Sequence, residues 1–194
     1  MSLQILLASS SRYRRELLGR LLPCFDSVSP DVDEHAFHDL EPTPDSLAQR
    51  LAIEKTQAVF RRFPEAIVIG SDQLADLNGQ VLGKPGTVSA AVDQLLSMSG
   101  KTHRLLTAVC IAAPGKRLIS IMDETRLTMR SLTPEEALRY VERDQPLDCA
   151  GSYKIESLGI SLFEKIETED FTAIMGLPLI QVSQSLRELG VAIP

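Results

Sequence analysis

The 194-residue sequence predicts a mixed α/β fold, and three observations carry that expectation. Short continuous apolar runs, Ile5-Leu6-Leu7-Ala8 and Ile67-Val68-Ile69, read as strands covered on both faces. Segments with helical periodicity open on capping signals, Thr43-Pro44 and Thr133-Pro134-Glu135-Glu136. Two long strand-like segments, Arg104 to Ala112 and Leu118 to Met129, flank a Pro114-Gly115 turn and read as an extended antiparallel ribbon.

In chain order, the first strand Ile5–Ala8 runs into Ser9-Ser10-Ser11, a strand-to-helix turn, and then into a helical pattern with Leu17, Leu18, Leu21 and Leu22 on one face. Thr43 caps the second helix and Pro44 takes its first position, where the missing N–H costs nothing. Leu47, Ala48, Leu51, Ala52 and Val59 form its apolar stripe, and Lys55 falls on the same stripe. The run to Ile69 continues as Gly70-Ser71-Asp72-Gln73, which sets a carboxylate where a buried strand surfaces, and ligands of α/β sheets collect beyond such ends. Asn78-Gly79 between Leu74–Leu77 and Gln80–Leu82 is a hairpin signal, and Thr87 caps a third helix through Ser97 that closes near Gly100. In the segment to Met129, Ile119, Ile121, Asp123, Thr125, Leu127 and Met129 share a parity. The capping box at Thr133 opens a helix to about Arg143, with Pro146 marking its end. Cys149 to Glu156 reads as a strand leaving a small-residue turn, with Ser152, Lys154 and Glu156 on one face. A last helix spans Pro178 to Leu189, with Gly190 just beyond it.

Composition narrows the function classes. With 44% hydrophobic residues the chain can bury a core of its own, and evenly spread turn signals without repeats point to residues 1–194 as one compact domain, with a bilobed arrangement left open. The formal charge of -6 repels a polyanion, so no nucleic acid polymer is expected as partner, whereas a small phosphate ligand needs only local positive charge. Cys24, Cys110 and Cys149 lack metal-ligand spacing and read as reduced cytosolic thiols. Met1-Ser2-Leu3-Gln4 lacks the character of a signal peptide, and the longest apolar stretch, Leu105 to Ala113, cannot span a bilayer; the expectation is a soluble cytoplasmic protein without membrane partners.

The candidate chemistry lies in short clusters, each with a bland counterpart. Arg12, Arg14 and Arg15 crowd the first turn of a helix, where positive charge opposes the dipole by roughly 0.3–1 kcal/mol each, so they mark either an anion site or a solvated basic face. Lys55 must snorkel outward or meet an anion. Asp72 is either a satisfied loop aspartate or a site acid. Gly79 to Pro85 misses the Walker spacing by one residue and has proline where Ser or Thr binds magnesium, which leaves Lys84 as a point charge for phosphate or for solvent. Asp31-Val32-Asp33-Glu34-His35 with His38 fits no zinc or EF-hand pattern; Glu34 either joins Asp72 around magnesium or belongs to an exposed acidic loop. Lys154 and Glu156 either line a site or pair on a solvated face.

Ala8-Ser9-Ser10-Ser11-Arg12-Tyr13-Arg14, Pro30 to Glu34, Glu54-Lys55, Gly70 to Gln73, Gly83-Lys84-Pro85, Ala150 to Glu156 and Gly176-Leu177-Pro178 together resemble the Maf-type nucleoside triphosphate pyrophosphatases, in the family's order and across nearly the whole chain. The resemblance implies an α/β fold with a mixed sheet, flanking helices and two lobes around a cleft, related to the inosine triphosphate pyrophosphatases. It further implies a homodimer and release of pyrophosphate from a nucleotide with a divalent metal cation, Mg2+ or Mn2+. Carried onto this chain, it makes Asp72 catalytic, Ser9, Arg14, Lys55, Lys84 and Lys154 phosphate ligands, and Asp72 with Glu34 the metal ligands. Tyr13, Gln73 and Glu156 resemble the specificity set of the subgroup acting on 7-methyl-GTP, and a cationic N7-methylated base gains from an aromatic face and a nearby carboxylate. Arg12 in place of proline, Tyr13 in place of tryptophan, and Ala108 in place of part of a Thr-Gly pair depart from the pattern. Two alternatives stay open: a dTTP/UTP pyrophosphatase of the same family, and a non-catalytic nucleotide-binding protein acting in cell division.

Overall fold

The computed structural model describes residues 4–193; Met1–Leu3, read above for a leader, lie outside them. Seven strands form one mixed sheet: β1 (Ile5–Ala8), β2 (Asp26–Ser27), β3 (Ile67–Leu77), β4 (Gln80–Leu82), β5 (Thr102–Ala112), β6 (Ile119–Met129) and β7 (Phe163–Glu167). Their order is β2-β1-β3-β5-β6-β7, with β4 paired to β3. Five helices accompany them: α1 (Arg12–Leu18), α2 (Pro44–Phe60), α3 (Val88–Met98), α4 (Pro134–Asp144) and α5 (Leu179–Glu188). No helix among the described residues is long and apolar enough to cross a membrane.

The chain divides into two compact units, with β3, β5 and β6 passing from one to the other. Unit 1 comprises residues 1–72, 107–123 and 170–194. In it β1 pairs in parallel with β3, Ala8 opposite Gly70. The period of two sorts the strands by face: Ile5, Leu7, Ile67 and Ile69 join Leu17 and Leu18 of α1 and Val182 and Leu186 of α5, while Leu6, Ala8 and Val68 join Val59 of α2. Burial on both faces is the reason these runs read as uninterruptedly apolar, each large side chain contributing about 1.5–3 kcal/mol. Gly70 matters for a different reason. A Cβ there would fall on Thr56 Oγ1 and within 2.9 Å of Thr56 N, so only glycine lets α2 lie directly on the β3 backbone.

Unit 2 comprises residues 73–106 and 124–169. The β3–β4 hairpin turns on Asn78 and Gly79, both at positive φ, as the Asn-Gly signal predicts. The α3 and α4 helices pack together, and Thr87 and Thr133 cap them as expected, the latter with Glu136 in a complete capping box. On β6 every residue of the odd parity except half-buried Ile119 is buried.

Two expectations change. β3 does not end at Ile69 but runs eleven residues to Leu77, so Asp72 sits within a strand; it is β1 that stops, at Ala8 opposite Gly70, and Asp72 lies just past that point. Cys149–Glu156 is not a strand but a 3-10 turn over Ala150–Ser152 followed by further turns, because Gly151 and Ser152 both hold positive φ, which extended backbone cannot accommodate. The short β2 and β7 carry no clear strand signal in the sequence; β7 meets β6 with a register shift at Thr128/Met129, which breaks the alternation a strand would otherwise show.

Candidate active site

Within unit 1 three elements bring charge together beneath the surface. Lys55 on α2 is buried, and its ammonium donates to Asp72 Oδ1 at 2.5 Å and meets Glu34 Oε1 at 2.7 Å. The close approach of α2 permitted by Gly70 brings the lysine within reach, and Asp33 caps the 3-10 turn Glu34–Phe37 that presents the glutamate. Of the two readings of Lys55, the anion prevails: its partners are the chain's own carboxylates. Asp72 is 4% exposed, and its second oxygen, Oδ2, is buried without a hydrogen-bond partner. A bare buried carboxylate oxygen is costly and rare, which removes the reading of Asp72 as a satisfied loop residue.

Arg14 stands on the first turn of α1. Its Nε donates to the Gly176 carbonyl at 3.1 Å, and Ser71 Oγ, next to Asp72, donates to the same oxygen at 2.8 Å. Enclosure presses the guanidinium below its ordinary arginine value while attraction to Asp72 and then Glu34 opposes the shift, so Arg14 belongs electrostatically to the carboxylate set. Ser9 is buried on the preceding turn and its Oγ accepts from Ser11 N–H, while Ser11 Oγ accepts from Arg14 N–H. Two amides of the turn are therefore engaged internally, and α1 is only seven residues long, so side chains rather than the helix terminus are what this turn offers an anion. Tyr13 lies beneath Arg12, whose guanidinium carbon is 4.8 Å from the ring centroid. The chain thus places a cation on its own aromatic face.

The family model described as "Maf-like protein" matches residues 4–189. The chain belongs to the Maf family. This Maf chain is 52% identical over 191 residues, 98% of each chain, to a protein of Xanthomonas campestris pv. campestris named 7-methyl-GTP pyrophosphatase. It is 46% identical over 188 residues, 97% of this chain and 98% of the other, to one of the same name from Bdellovibrio bacteriovorus. Among solved structures, the Staphylococcus aureus Ham1 protein is similar at a TM-score of 0.55 and 15% identity, covering 95% of this chain and 99% of that one. A HAM1 protein from Coxiella burnetii gives 0.51 and 13%, over 96% and 100%. At such identities the likeness concerns the fold alone, and the mixed-sheet α/β architecture expected of a Maf domain is the one observed.

The remaining predicted residues of the Maf chain lie in unit 2. Gln73 is half-buried on β3, Lys84 exposed in the loop after β4, and Glu156 exposed in the turns after Tyr153. Lys154, expected among the phosphate ligands, is engaged otherwise: its ammonium donates to the Asp144 and Gln145 carbonyls, both at 3.0 Å, and so caps the C-terminus of α4. The same segment is held by Tyr140 Oη, which accepts from Lys154 N–H, and by Tyr153, which is buried with its hydroxyl 3.0 Å from His103 Nε2. His103 is accordingly held neutral, burial lowering its pKa to about 4 against the weaker pull of Asp76. Buried Cys110 is pushed upward and Cys149 up to about 12, both chiefly by desolvation, so neither is a reactive thiolate. In the sequence Gly176 stands out only as part of the Gly176-Leu177-Pro178 motif. Its carbonyl as the acceptor for Arg14 and Ser71 is invisible to spacing, because the partners are 162 and 105 residues away.

Proposed function

We propose that the chain is a nucleoside triphosphate pyrophosphatase that hydrolyses 7-methyl-GTP to 7-methyl-GMP and pyrophosphate. The observation that carries the reaction is the bare, buried Oδ2 of Asp72 beside an ammonium and a guanidinium; the substrate rests on near full-length relatives at 46–52% identity that bear that name. Ser9, Arg14 and Lys55 bind triphosphate oxygens. Asp72 orients a water for attack at the α-phosphorus; as the new P–O bond forms, the bond to the bridging oxygen breaks, pyrophosphate leaves, and the water's proton passes to solvent.

The residues fit a divalent cation. An orphaned buried oxygen on Asp72 and the neighbouring carboxylate of Glu34 match magnesium's preference for one or two carboxylates completed by substrate phosphates. Such an ion, held by Asp72 and Glu34, would neutralise phosphate charge and make the attacking water more acidic. Lys55 keeps both carboxylates aligned by bonding one oxygen of each.

Base preference is assigned to Tyr13, Gln73 and Glu156 on the family resemblance, and the protein is taken to act as a homodimer on the same ground. The test is pyrophosphate release with magnesium from 7-methyl-GTP, GTP, UTP, dTTP and ITP. Preference for 7-methyl-GTP is the expected outcome, preference for UTP or dTTP overturns the base assignment, and silence on all five overturns the catalytic reading. Sedimentation of the purified protein checks the dimer.

A further inference from the structure

We infer that Asp170 is a positioning residue for the phosphate-binding arginine, acting through the loop that carries the Gly176 carbonyl; the inference rests on the proposed function for Arg14's role as a phosphate ligand.

The loop is locked at its base. Asp170 is 2% exposed, and its Oδ1 accepts from both Thr172 N–H at 2.9 Å and Thr172 Oγ1 at 2.6 Å. Its Oδ2 accepts from Ile180 N–H at 2.7 Å, and Thr172 Oγ1 in turn accepts from Leu179 N–H at 2.9 Å. These are the first amides of α5, whose own N-cap residue, Pro178, has no side chain able to cap it. The carboxylate therefore caps α5 from ten residues upstream and closes residues 170–180 into a ring. Within it, Gly176 N–H donates to Ala173 O at 2.8 Å and Thr107 Oγ1 donates to the same oxygen at 3.0 Å.

What the ring presents is the Gly176 carbonyl. Arg14 Nε and Ser71 Oγ both donate to it, so one oxygen orients a cation of the phosphate set and the residue before Asp72. With Nε engaged, rotation of the guanidinium plane is restricted, and forked recognition of phosphate oxygens falls to its terminal nitrogens. Gly176 holds φ +101, which strains any side-chain-bearing residue, and a Cβ there would crowd Arg14 Nε at 3.1 Å.

Asparagine at position 170 keeps size but supplies one acceptor where the lock uses two oxygens, turning an amide N–H2 toward a donor on one side or the other. The probe is inorganic triphosphate, whose binding is measured by calorimetry for wild type, Asp170→Asn, Arg14→Lys and the double variant. The expected result is a loss of about tenfold on Asp170→Asn, shrinking to within about twofold when Arg14 is already lysine, as coupled residues require. Val182→Ala, in the buried face of α5, serves as the control: it loosens the same helix without touching the lock and should bind triphosphate as wild type does. Should Asp170→Asn fold poorly, Thr172→Val removes the hydroxyl relay and should show the same coupling to Arg14. Equal losses with and without Arg14, or a loss matched by Val182→Ala at similar stability, would overturn the inference. If wild type binds triphosphate with the expected coupling yet releases no pyrophosphate from any nucleotide, the positioning role stands and the enzymatic reading falls; if wild type does not bind triphosphate, both fall.

Discussion

Asp72 and Asp76 lie four residues apart on β3, each buried and each paired with a cation, but one belongs to unit 1 and the other to unit 2. Asp76 is saturated: Arg104 Nε and its second terminal nitrogen reach Oδ2 at 2.8 and 2.7 Å, and Oδ1 accepts from Gly79 N–H at 2.7 Å. Arg104 also pairs with Glu124 at 3.0 Å, which continues the ladder to β6. Asp72 has a partner on one oxygen only. Two acids of the same strand, with the same burial, thus differ in whether anything is left for a ligand to do. A satisfied buried acid has every acceptor met by the fold, whereas a half-satisfied one keeps a costly acceptor that solvent or a ligand can meet.

The sharpest way to break this contrast is a pair of isosteric substitutions. Asp72→Asn is expected to lower pyrophosphate release about 10^3-fold with little change in the unfolding midpoint, whereas Asp76→Asn should cost about 3 kcal/mol in urea unfolding while the folded fraction keeps its turnover. Equal effects of the two on turnover would erase the distinction. Next in size, Lys55→Met should destabilise unit 1 by about 3 kcal/mol, because it leaves Asp72 as an uncompensated buried charge; denaturant titration measures this, and a loss under about 1 kcal/mol would mean the pair is solvated.

A third test concerns unit 2 alone. His103 is buried neutral, its pKa lowered from 6.5 to about 4 by desolvation. Between those values the unfolded chain binds the proton and the folded chain does not, so stability falls as pH drops from about 6.5 toward 4, by up to about 3 kcal/mol in all. His103→Gln should flatten that part of the stability–pH curve, as urea midpoints at intervals across the range would show; an unchanged slope assigns the titration elsewhere. The smallest effect is on specificity: Glu156→Gln should reduce the preference for 7-methyl-GTP over GTP about tenfold, read from side-by-side kcat/KM, and an unaltered ratio would remove Glu156 as the base reader.

Local rules made much of the scaffold legible. Thr43, Thr87 and Thr133 cap helices where their side chains can satisfy the first amides, Asn78-Gly79 turns a hairpin, and the parity of Ile121 to Met129 survives into the burial of β6. The candidate residues of unit 1 were legible too, as residue types out of keeping with their surroundings: a lysine on an apolar stripe and an acid after a buried run. Where backbone conformation depended on distant contacts, reading failed. Gly151 and Ser152 take positive φ in a turn with Ser152 Oγ bonded to Gln94, and Lys154 then caps α4 instead of lining a strand face.

What the sequence by itself determined, then, is most of the helices and long strands and which residue types are out of keeping with their surroundings, since propensity, capping and periodicity act over a few residues. Only the tertiary structure decided which of those side chains come together and which carboxylate oxygen lacks a hydrogen-bond partner. Lys55 and Asp72 are 17 residues apart, and Arg14 and Gly176 are 162 apart. Their meeting depends on a sheet register and on a glycine at position 70 that lets a helix rest on a strand, both of which are properties of packing and not of local sequence.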